Sequence, residues 1–564
     1  MTCSDCCCAK FQELLPKATP SAWFFGMSIA YFKKQGRKLD AVIHCRSSRT
    51  MMESITTDVL IIGAGAAGIR AAIAACKNNA DVVMVAADDV TYGGSTFSEI
   101  SKGWGIQGLV DAERTAEKLE DFYGDIIQVG LGQSDSKLVR ILVEESGPRI
   151  EDLISYGLKF KRGHDGNYIR ARGCFSETER AFLTSDIANI RQTFLSILRR
   201  WPVRVVTGSA TELILGEGIC LGAWIIKNSG TFVQISAKST ILATGGGSGI
   251  YKDHMGCGGG FGDGYALAYL AGAELKNMEF VQFAMGLKHN GSRKFLPTGK
   301  LDLPNKIVNS SGGDILKHYM PDNGQRLESL KARQKHMPFS CRDSSGSVDI
   351  AVARARRLHK TLYWLDDEMK NNTFEVVHFA HAFNGGVKIN ERGESTVPGL
   401  YAAGEAATGA YGADRIGGTM MTATQVFGKR AGQFAAQRAK RLNGMPARVI
   451  GKDETDRIDR LKLDDDVLHA LAAIESRVKE AMGQYAGILR SNKGLKKCKK
   501  IVKTCADQLR DLEFHVPANF ERYYKVRNLI ITANLVTKNS LARKESKGSH
   551  YREDDLKTIE GTVK

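Results

Sequence analysis

The sequence predicts an α/β fold: a parallel-sheet domain split in two along the chain, an α+β domain inserted between its halves, and a helical C-terminal domain. Three observations carry this. An almost unbroken apolar strand at 58–62 runs into a glycine-rich turn and an alanine-rich helix. Residues 250–379 lose that texture and hold long polar loops. From about Met420 the pattern is helical through most of the remaining chain. With 564 residues the chain is too long for one ordinary domain, and long enough to bury a core without disulfides or metal.

The elements follow in chain order. Residues 1–55 are expected to be an N-terminal extension, disordered or mis-started, because Met51 and Met52 stand just before the first strong strand. Ser21–Phe32 is too short to span a membrane, and its basic flank follows rather than precedes it, unlike a secretory signal. Residues 56–250 form the first half of the split domain. Asp58–Ile62 reads as a buried parallel strand. Gly63-Ala64-Gly65-Ala66-Ala67-Gly68 then opens a helix, and a second strand, Asp81–Ala86, completes a βαβ unit. In this context the three glycines form a dinucleotide fingerprint: Gly63 for the tight turn, Gly65 for close approach of a pyrophosphate, Gly68 for helix–strand packing. The helix N-terminus favours the phosphates. Residues 110–200 show helical periodicity. Strands are expected at Val203–Val206, Glu212–Leu215, Gly222–Lys227, Thr231–Ile235 and Thr240–Ala243, the last running into Thr244-Gly245-Gly246. Residues 251–379 are the inserted domain, 380–440 the second half of the split domain, and 441–564 the helical domain.

Composition, 43% hydrophobic and 25% charged, is that of an ordinary globular protein. The net charge is +17. Its densest stretch holds Lys496, Lys497, Lys499 and Lys500 in a helical pattern, which reads as a solvated face or as a docking patch for an acidic electron-transfer partner. No aromatic interleaving points to nucleic acid. The twelve cysteines lack paired zinc spacing, so free thiols and no metal site are expected. Cys3, Cys6, Cys7 and Cys8 cluster, but without a second ligand pair. No apolar run is long enough for a membrane span, and a cytoplasmic location follows, peripheral to a membrane only through a partner.

The fingerprint alone does not separate NAD from FAD. After the second strand, Asp88-Asp89 leaves the usual acidic ribose ligand displaced or absent. A second signature decides for FAD. Gly399-Leu400-Tyr401-Ala402-Ala403-Gly404-Glu405 is a strand entering a Gly-Glu turn, where the glycine admits a phosphate and the carboxylate can accept ribityl hydroxyls. The fold expected is thus a two-dinucleotide-binding, Rossmann-like FAD domain.

From Gly385-Gly386-Val387 through Thr396–Glu405 to Gly412-Ala413-Asp414-Arg415-Ile416-Gly417-Gly418, the chain resembles the fumarate reductase, succinate dehydrogenase and L-aspartate oxidase flavoproteins. Gly93-Gly94-Ser95-Thr96, Met278–Phe283 and the closing stretch Arg543–Asp554 are similar to the same family, so the resemblance covers roughly residues 57–555. It implies a mobile capping domain inserted into the FAD domain. It also implies FAD contacts at Gly63, Gly65, Ala66, Ala67, Gly68, Gly94, Ser95, Thr96, Ala243, Thr244, Gly245, Gly404, Glu405, Arg415, Gly418 and Thr419. Ser95 stands where respiratory members carry the flavin-linking His, so noncovalent FAD is expected.

The family moves hydride between flavin N5 and a carboxylate-activated carbon. Such a site needs cations and a proton shuttle. The resemblance assigns substrate binding to His381, carboxylate clamping to Arg415 and proton donation to Arg342. A guanidinium meets a carboxylate bidentately, which suits the clamp. His378 is a competitor at a less fitting spacing.

The departures bear on substrate. Gln282-Phe283-Ala284-Met285-Gly286 lacks a family histidine, and the family's Thr-Glu pair is not recognisable in Gly299–Val308. Half of a dicarboxylate clamp is missing, so the expectation is a larger or monocarboxylate-like enoate rather than plain fumarate or succinate. Electrons would come from an iron–sulfur or other electron-carrying subunit. The competing expectations are an oxidase like L-aspartate oxidase, a flavoprotein subunit like that of adenylylsulfate reductase, and a non-catalytic electron-relay subunit.

Overall fold

β1 (Glu53–Ile62) runs through the middle of a six-stranded sheet. The computed structural model describes residues 53–100, 102–256, 260–296, 306–365, 374–444, 465–512 and 520–555. The expectations for residues 1–52, including the cysteine cluster, lie outside them. Val59 and Ile61 face one core, shared with the helix α1 (Ala66–Lys77). Leu60 and Ile62 face a second, shared with α2 (Ala116–Val129) and α3 (Ser136–Ser155). Side chains alternate across a strand, so a strand covered on both faces is apolar throughout. That is why Val59–Ile62 is legible in the sequence. Glu53–Thr57 is mostly polar yet belongs to the same strand, paired with Val233–Ala237.

β2 (Val82–Ala86) lies parallel to β1, and the first half of β3 (Val203–Gly216) lies parallel to β2. Its second half turns to an antiparallel partner, β4 (Ile219–Lys227), which pairs in turn with β5 (Phe232–Leu242). β5 returns parallel along all of β1. Two pairs of expected strands are therefore two continuous ones. The polar breaks in the sequence, Thr207-Gly208-Ser209 and Ser236–Ser239, are places where a strand exchanges neighbours, not where it ends. The stretch 110–200 also differs from its helical expectation. α3 and α4 (Ile187–Arg199) are separated by two strands, Arg170–Arg172 and Glu179–Leu183, which form a small antiparallel sheet with Gly105–Gln107.

α5 (Asp263–Leu270) leads to a second sheet built on the antiparallel pair β6 (Val281–His289) and β7 (Phe374–Phe383). Its core, with Met285, Leu287 and Val376, packs on Val348 and Val352 of α6 (Gly346–His359). Arg333 and Asp349 form a fully buried pair at 2.6 Å beside it. β7 runs unbroken through 379–380, where the inserted domain is expected to end.

β8 (Leu400–Ala402) closes the first sheet beside β5. α7 (Thr419–Arg441) then packs along α1. Side chains at Gly428 and Gly432 would collide with the backbone of Ala67 and Ala71, so those glycines set the approach of the two helices. α8 (Asp465–Tyr485), α9 (Asn492–Leu512) and α10 (Phe520–Ala542) bundle around Leu471, Val478, Leu495, Val502, Leu529 and Val536. That core is continuous with Tyr251, Phe283 and Phe383. Lys496, Lys497, Lys499 and Lys500 lie exposed on α9. Among the described residues no helix is long and apolar enough to cross a membrane, and the cysteines are free.

Candidate active site

A cavity of about 700 Å³ opens at the C-terminal end of β1. Gly63 turns the chain there with φ +116°, a conformation open to glycine. A Cβ on Gly68 would overlap the Gly63 carbonyl, so this glycine serves helix–strand packing. Gly65 differs: the nearest atom to its missing Cβ is Thr96 Oγ1, at 3.7 Å. It leaves open space in the cavity wall at the N-terminus of α1, where backbone N–H groups and the helix dipole favour an anion. The Ala66 N–H donates to Thr96 Oγ1 (3.2 Å), tying the turn to the Gly94–Thr96 segment.

Of the sixteen cofactor positions expected from sequence, Gly68 and Thr419 stand behind the wall and the rest line the cavity. Thr419 donates its hydroxyl to Ile416 O (2.7 Å) at the start of α7. Glu405 is held by the Phe383 N–H on Oε1 (2.9 Å), so the Gly-Glu turn is anchored to the end of β7. Burial raises its pKa above the usual carboxylate range. Asp88 and Asp89 are exposed at the rim, where the sequence leaves the acidic ribose ligand displaced. Thr244 Oγ1 is buried in the wall with no partner among the described residues. A glycine-floored helix end, an orphaned hydroxyl and a carboxylate lining one cavity of this size fit a dinucleotide such as FAD.

At the far end stand His381 and Arg415. Arg415 is buried; its Nε donates to Gln282 Oε1 (3.2 Å) and its Nη1 to Ile416 O (3.1 Å). Nη2 has no partner among the described residues, which leaves it for a ligand. His381 meets Phe295 edge-on, with ring centres 5.1 Å apart. Loss of water, then the Arg415 charge, push its pKa down to about 3, so the ring is neutral at ordinary pH. His378 belongs elsewhere: its Nε2 lies 3.1 Å from Asp349, inside the buried pair with Arg333.

Arg342 is not part of the cavity lining. Its guanidinium lies 5.6 Å from the Phe175 ring, and its backbone N–H donates to Ser340 Oγ (3.1 Å). Ser340 Oγ donates in turn to Asp414 Oδ2 (2.7 Å), while Oδ1 is buried without a partner among the described residues. Burial raises Asp414 to about 7, against the lowering influence of Ser340 and of the Arg342 and His336 charges. Arg342 thus neighbours the residue before Arg415, from outside the cavity. The closing stretch supports the same place from behind. Arg490 bonds His550 Nδ1 (2.6 Å) and Glu279 O (2.7 Å); Arg543 bonds Glu279 Oε1 (2.7 Å); Ser549 donates to Ala413 O (3.0 Å).

Sequence reasoning passes over Gln282 as an Arg415 partner, together with Ser340, Asp414, Cys174 and Phe295. Gln282 stands inside a family-like motif, a signal that could have found it. Asp414 likewise stands inside the Gly412–Gly418 motif, whereas Ser340, Cys174 and Phe295 reach the site only through tertiary contact.

Residues 58–421 match the family described as FAD binding domain, and 475–559 the fumarate reductase flavoprotein C-terminal family. A fumarate reductase (CoM/CoB) subunit of Methanothermobacter marburgensis is 32% identical over 521 residues, covering 88% of this chain and 94% of its own. L-aspartate oxidase of Pseudomonas aeruginosa is 28% identical, covering 89% and 96%. A solved E. coli quinol fumarate reductase shares the fold, with TM-score 0.71 and 21% identity over 90% of this chain and 92% of its own. The match across both halves of the split domain and the C-terminal helices agrees with the cavity's geometry: this chain belongs to the FAD-dependent oxidoreductase family of the fumarate reductase, succinate dehydrogenase and L-aspartate oxidase flavoproteins.

Proposed function

We propose that the protein catalyses hydride transfer between FAD and a carbon–carbon bond activated by a carboxylate. The observation that carries this is Arg415: a buried guanidinium at the end of the FAD cavity, fixed by Gln282 and Ile416, with one amino group left open beside His381. FAD, when bound, supplies or accepts the hydride. Arg415 holds the carboxylate and stabilises the negative charge that builds on it as hydride arrives. His381, neutral, orients the same carboxylate by a hydrogen bond. The proton at the neighbouring carbon is assigned to Arg342, as the resemblance implies. Its segment borders this end of the cavity through Met337 and Pro338, and movement of the inserted domain would bring it to the substrate.

FAD is held without a covalent link, since Ser95 offers no imidazole. Acid precipitation is expected to release all the flavin into the supernatant; flavin left in the pellet would refute this. Electrons come from a separate iron–sulfur or other carrier protein. The relative from M. marburgensis is itself named as one subunit of its enzyme, and the exposed lysines of α9 suit an acidic partner.

The test is anaerobic. The flavin is reduced and its reoxidation followed against enoates, iminoaspartate and adenylylsulfate. Rapid reoxidation by an enoate supports the proposal. Arg415→Ala is expected to slow that reoxidation by roughly 10²–10³, the loss typical of a donor to developing charge, with the flavin absorbance retained. An undiminished rate would favour an electron-relay role.

A further inference from the structure

We infer that the substrate is a monocarboxylate enoate whose double bond carries an apolar alkyl or aryl group where fumarate carries its second carboxylate. The inference rests on the carbon–carbon bond reading above and deepens it.

The charge of the cavity comes first. Among the described residues lining it, the permanent cations are Arg415 and Lys525. Lys525 lies on α10 and is paired with Glu521 at 2.7 Å, in the part of the wall formed with Gly208–Ala210 and Asn528. Among those residues, Arg415 is therefore the one cation fixed at the His381 end; Arg342, once moved to the substrate, is its proton donor and not a second clamp. One carboxylate is matched there.

The wall around that pair is apolar. Phe295 presents its ring to His381. Ile100 and Phe295 pack against the buried cluster of Met255, Val377 and Phe379. Met255 is fixed by its backbone N–H on Ala380 O (3.0 Å), one residue before His381. On the Arg415 side, Met337 and Pro338 complete the lining beside Cys174. The Met337 N–H donates to Cys174 Sγ (3.4 Å), and Cys174 O accepts from the Gly417 N–H (3.0 Å). Where the resemblance expects a substrate-binding His after Gln282-Phe283, Ala284 is fully buried and bridges Pro338. It brings no polar group to the cavity.

A second carboxylate against Phe295, Met255 and Ile100 would lose its water and meet no second cation among the described residues lining the cavity, and a buried unpaired charge is strongly disfavoured. A phenyl or alkyl group there gains the burial of its apolar surface, and methionine walls adapt to its shape. The reaction balances within the proposal. With reduced FAD bound as the hydride source, hydride would go to the carbon bearing the apolar group and a proton from Arg342 to the carbon bearing the carboxylate. The C=C π bond is lost, two C–H bonds form, and FAD is left oxidised.

The experiment photoreduces the full-length flavoprotein anaerobically and mixes it with trans-cinnamate, crotonate, fumarate and cinnamamide. Cinnamate or crotonate is expected to reoxidise the flavin with kcat/KM about 100-fold above fumarate, and cinnamamide, lacking the carboxylate, to be inert. Fumarate equal to or faster than both, with a rate that Arg415→Ala abolishes, would overturn the substrate class and leave the carbon–carbon bond reading standing. Reoxidation by none of the enoates would overturn both. Phe295→Arg supplies a second readout, its flavin spectrum reporting that the cavity is intact. Placing a cation opposite Arg415 is expected to shift the cinnamate-to-fumarate ratio at least about tenfold towards fumarate. An unchanged ratio would remove Phe295 from the substrate wall.

Discussion

Asp414 has one hydroxyl to offset its burial, with positive charge from Arg342 and His336 nearby and Asp343 opposing them. Its pKa of about 7 in the folded chain, against 3.8 for a free side chain, means that the native state holds a proton the unfolded chain has lost between those values. Stability from this residue is full below about pH 4 and is lost as pH rises through about 7. Asp414→Asn, which keeps the Ser340 contact, should flatten that part of a Tm-versus-pH curve. A curve still falling by the same amount would reassign the effect. His381 acts in the opposite sense. Its pKa is lowered from 6.5 to about 3, so the unfolded chain takes up a proton first and stability falls as pH drops through that window. His381→Gln should remove this acid sensitivity, and the pH profile of flavin reoxidation should show no titration of His381 between about pH 5 and 9. The Gly63–Gly68 turn is legible in the sequence because the turn and the helix that follows fix its spacing, and Arg415 is reached through the family resemblance of Gly412–Gly418. The Ser340–Asp414 contact is not legible, since no local pattern announces that residues 74 positions apart will meet in a dry interior.

At the scale of elements, α7 fits closely against α1. Gly432 faces the Ala71 backbone with no room for a methyl group. Gly432→Ala should cost roughly 1–3 kcal/mol through overpacking, read as a lower denaturation midpoint with an unchanged slope. A neutral result would mean that the helices separate without penalty. Strand reading succeeds where burial is two-sided, as at Val59–Ile62, and fails where a strand is polar but paired, as at Glu53–Thr57 and through Gly208. Hydropathy reports what covers a strand, whereas pairing uses backbone groups that every residue carries. The small sheet of Gly105–Gln107, Arg170–Arg172 and Glu179–Leu183 escapes notice for a related reason: its strands are three to five residues long, shorter than a period-two pattern needs to stand out.

Across the whole molecule, the FAD cavity draws its walls from nearly every part of the described chain: the βαβ turn, the turn after β5, the inserted sheet, the Gly-Glu turn and α10. Arg490, fully buried, joins the C-terminal bundle to Glu279 and His550. Arg490→Ala leaves carbonyls and a ring nitrogen unpaired at about 1–3 kcal/mol each. It should lower Tm and weaken flavin retention, checked by the absorbance ratio after gel filtration. Full flavin content with an unchanged Tm would show that the closing stretch does not brace the site. The bracing has a consequence for biosynthesis. The glycine turn at Gly63–Gly68 leaves the ribosome long before Asn528, which lines the cavity, or Ser549, which holds Ala413 in place. Contacts so distant in sequence close late, so the nascent chain emerges with its nucleotide turn made and nothing to shut around the ligand. Flavin loading should then be an event of the released polypeptide, and chains stalled on the ribosome before α10 is translated should carry no flavin.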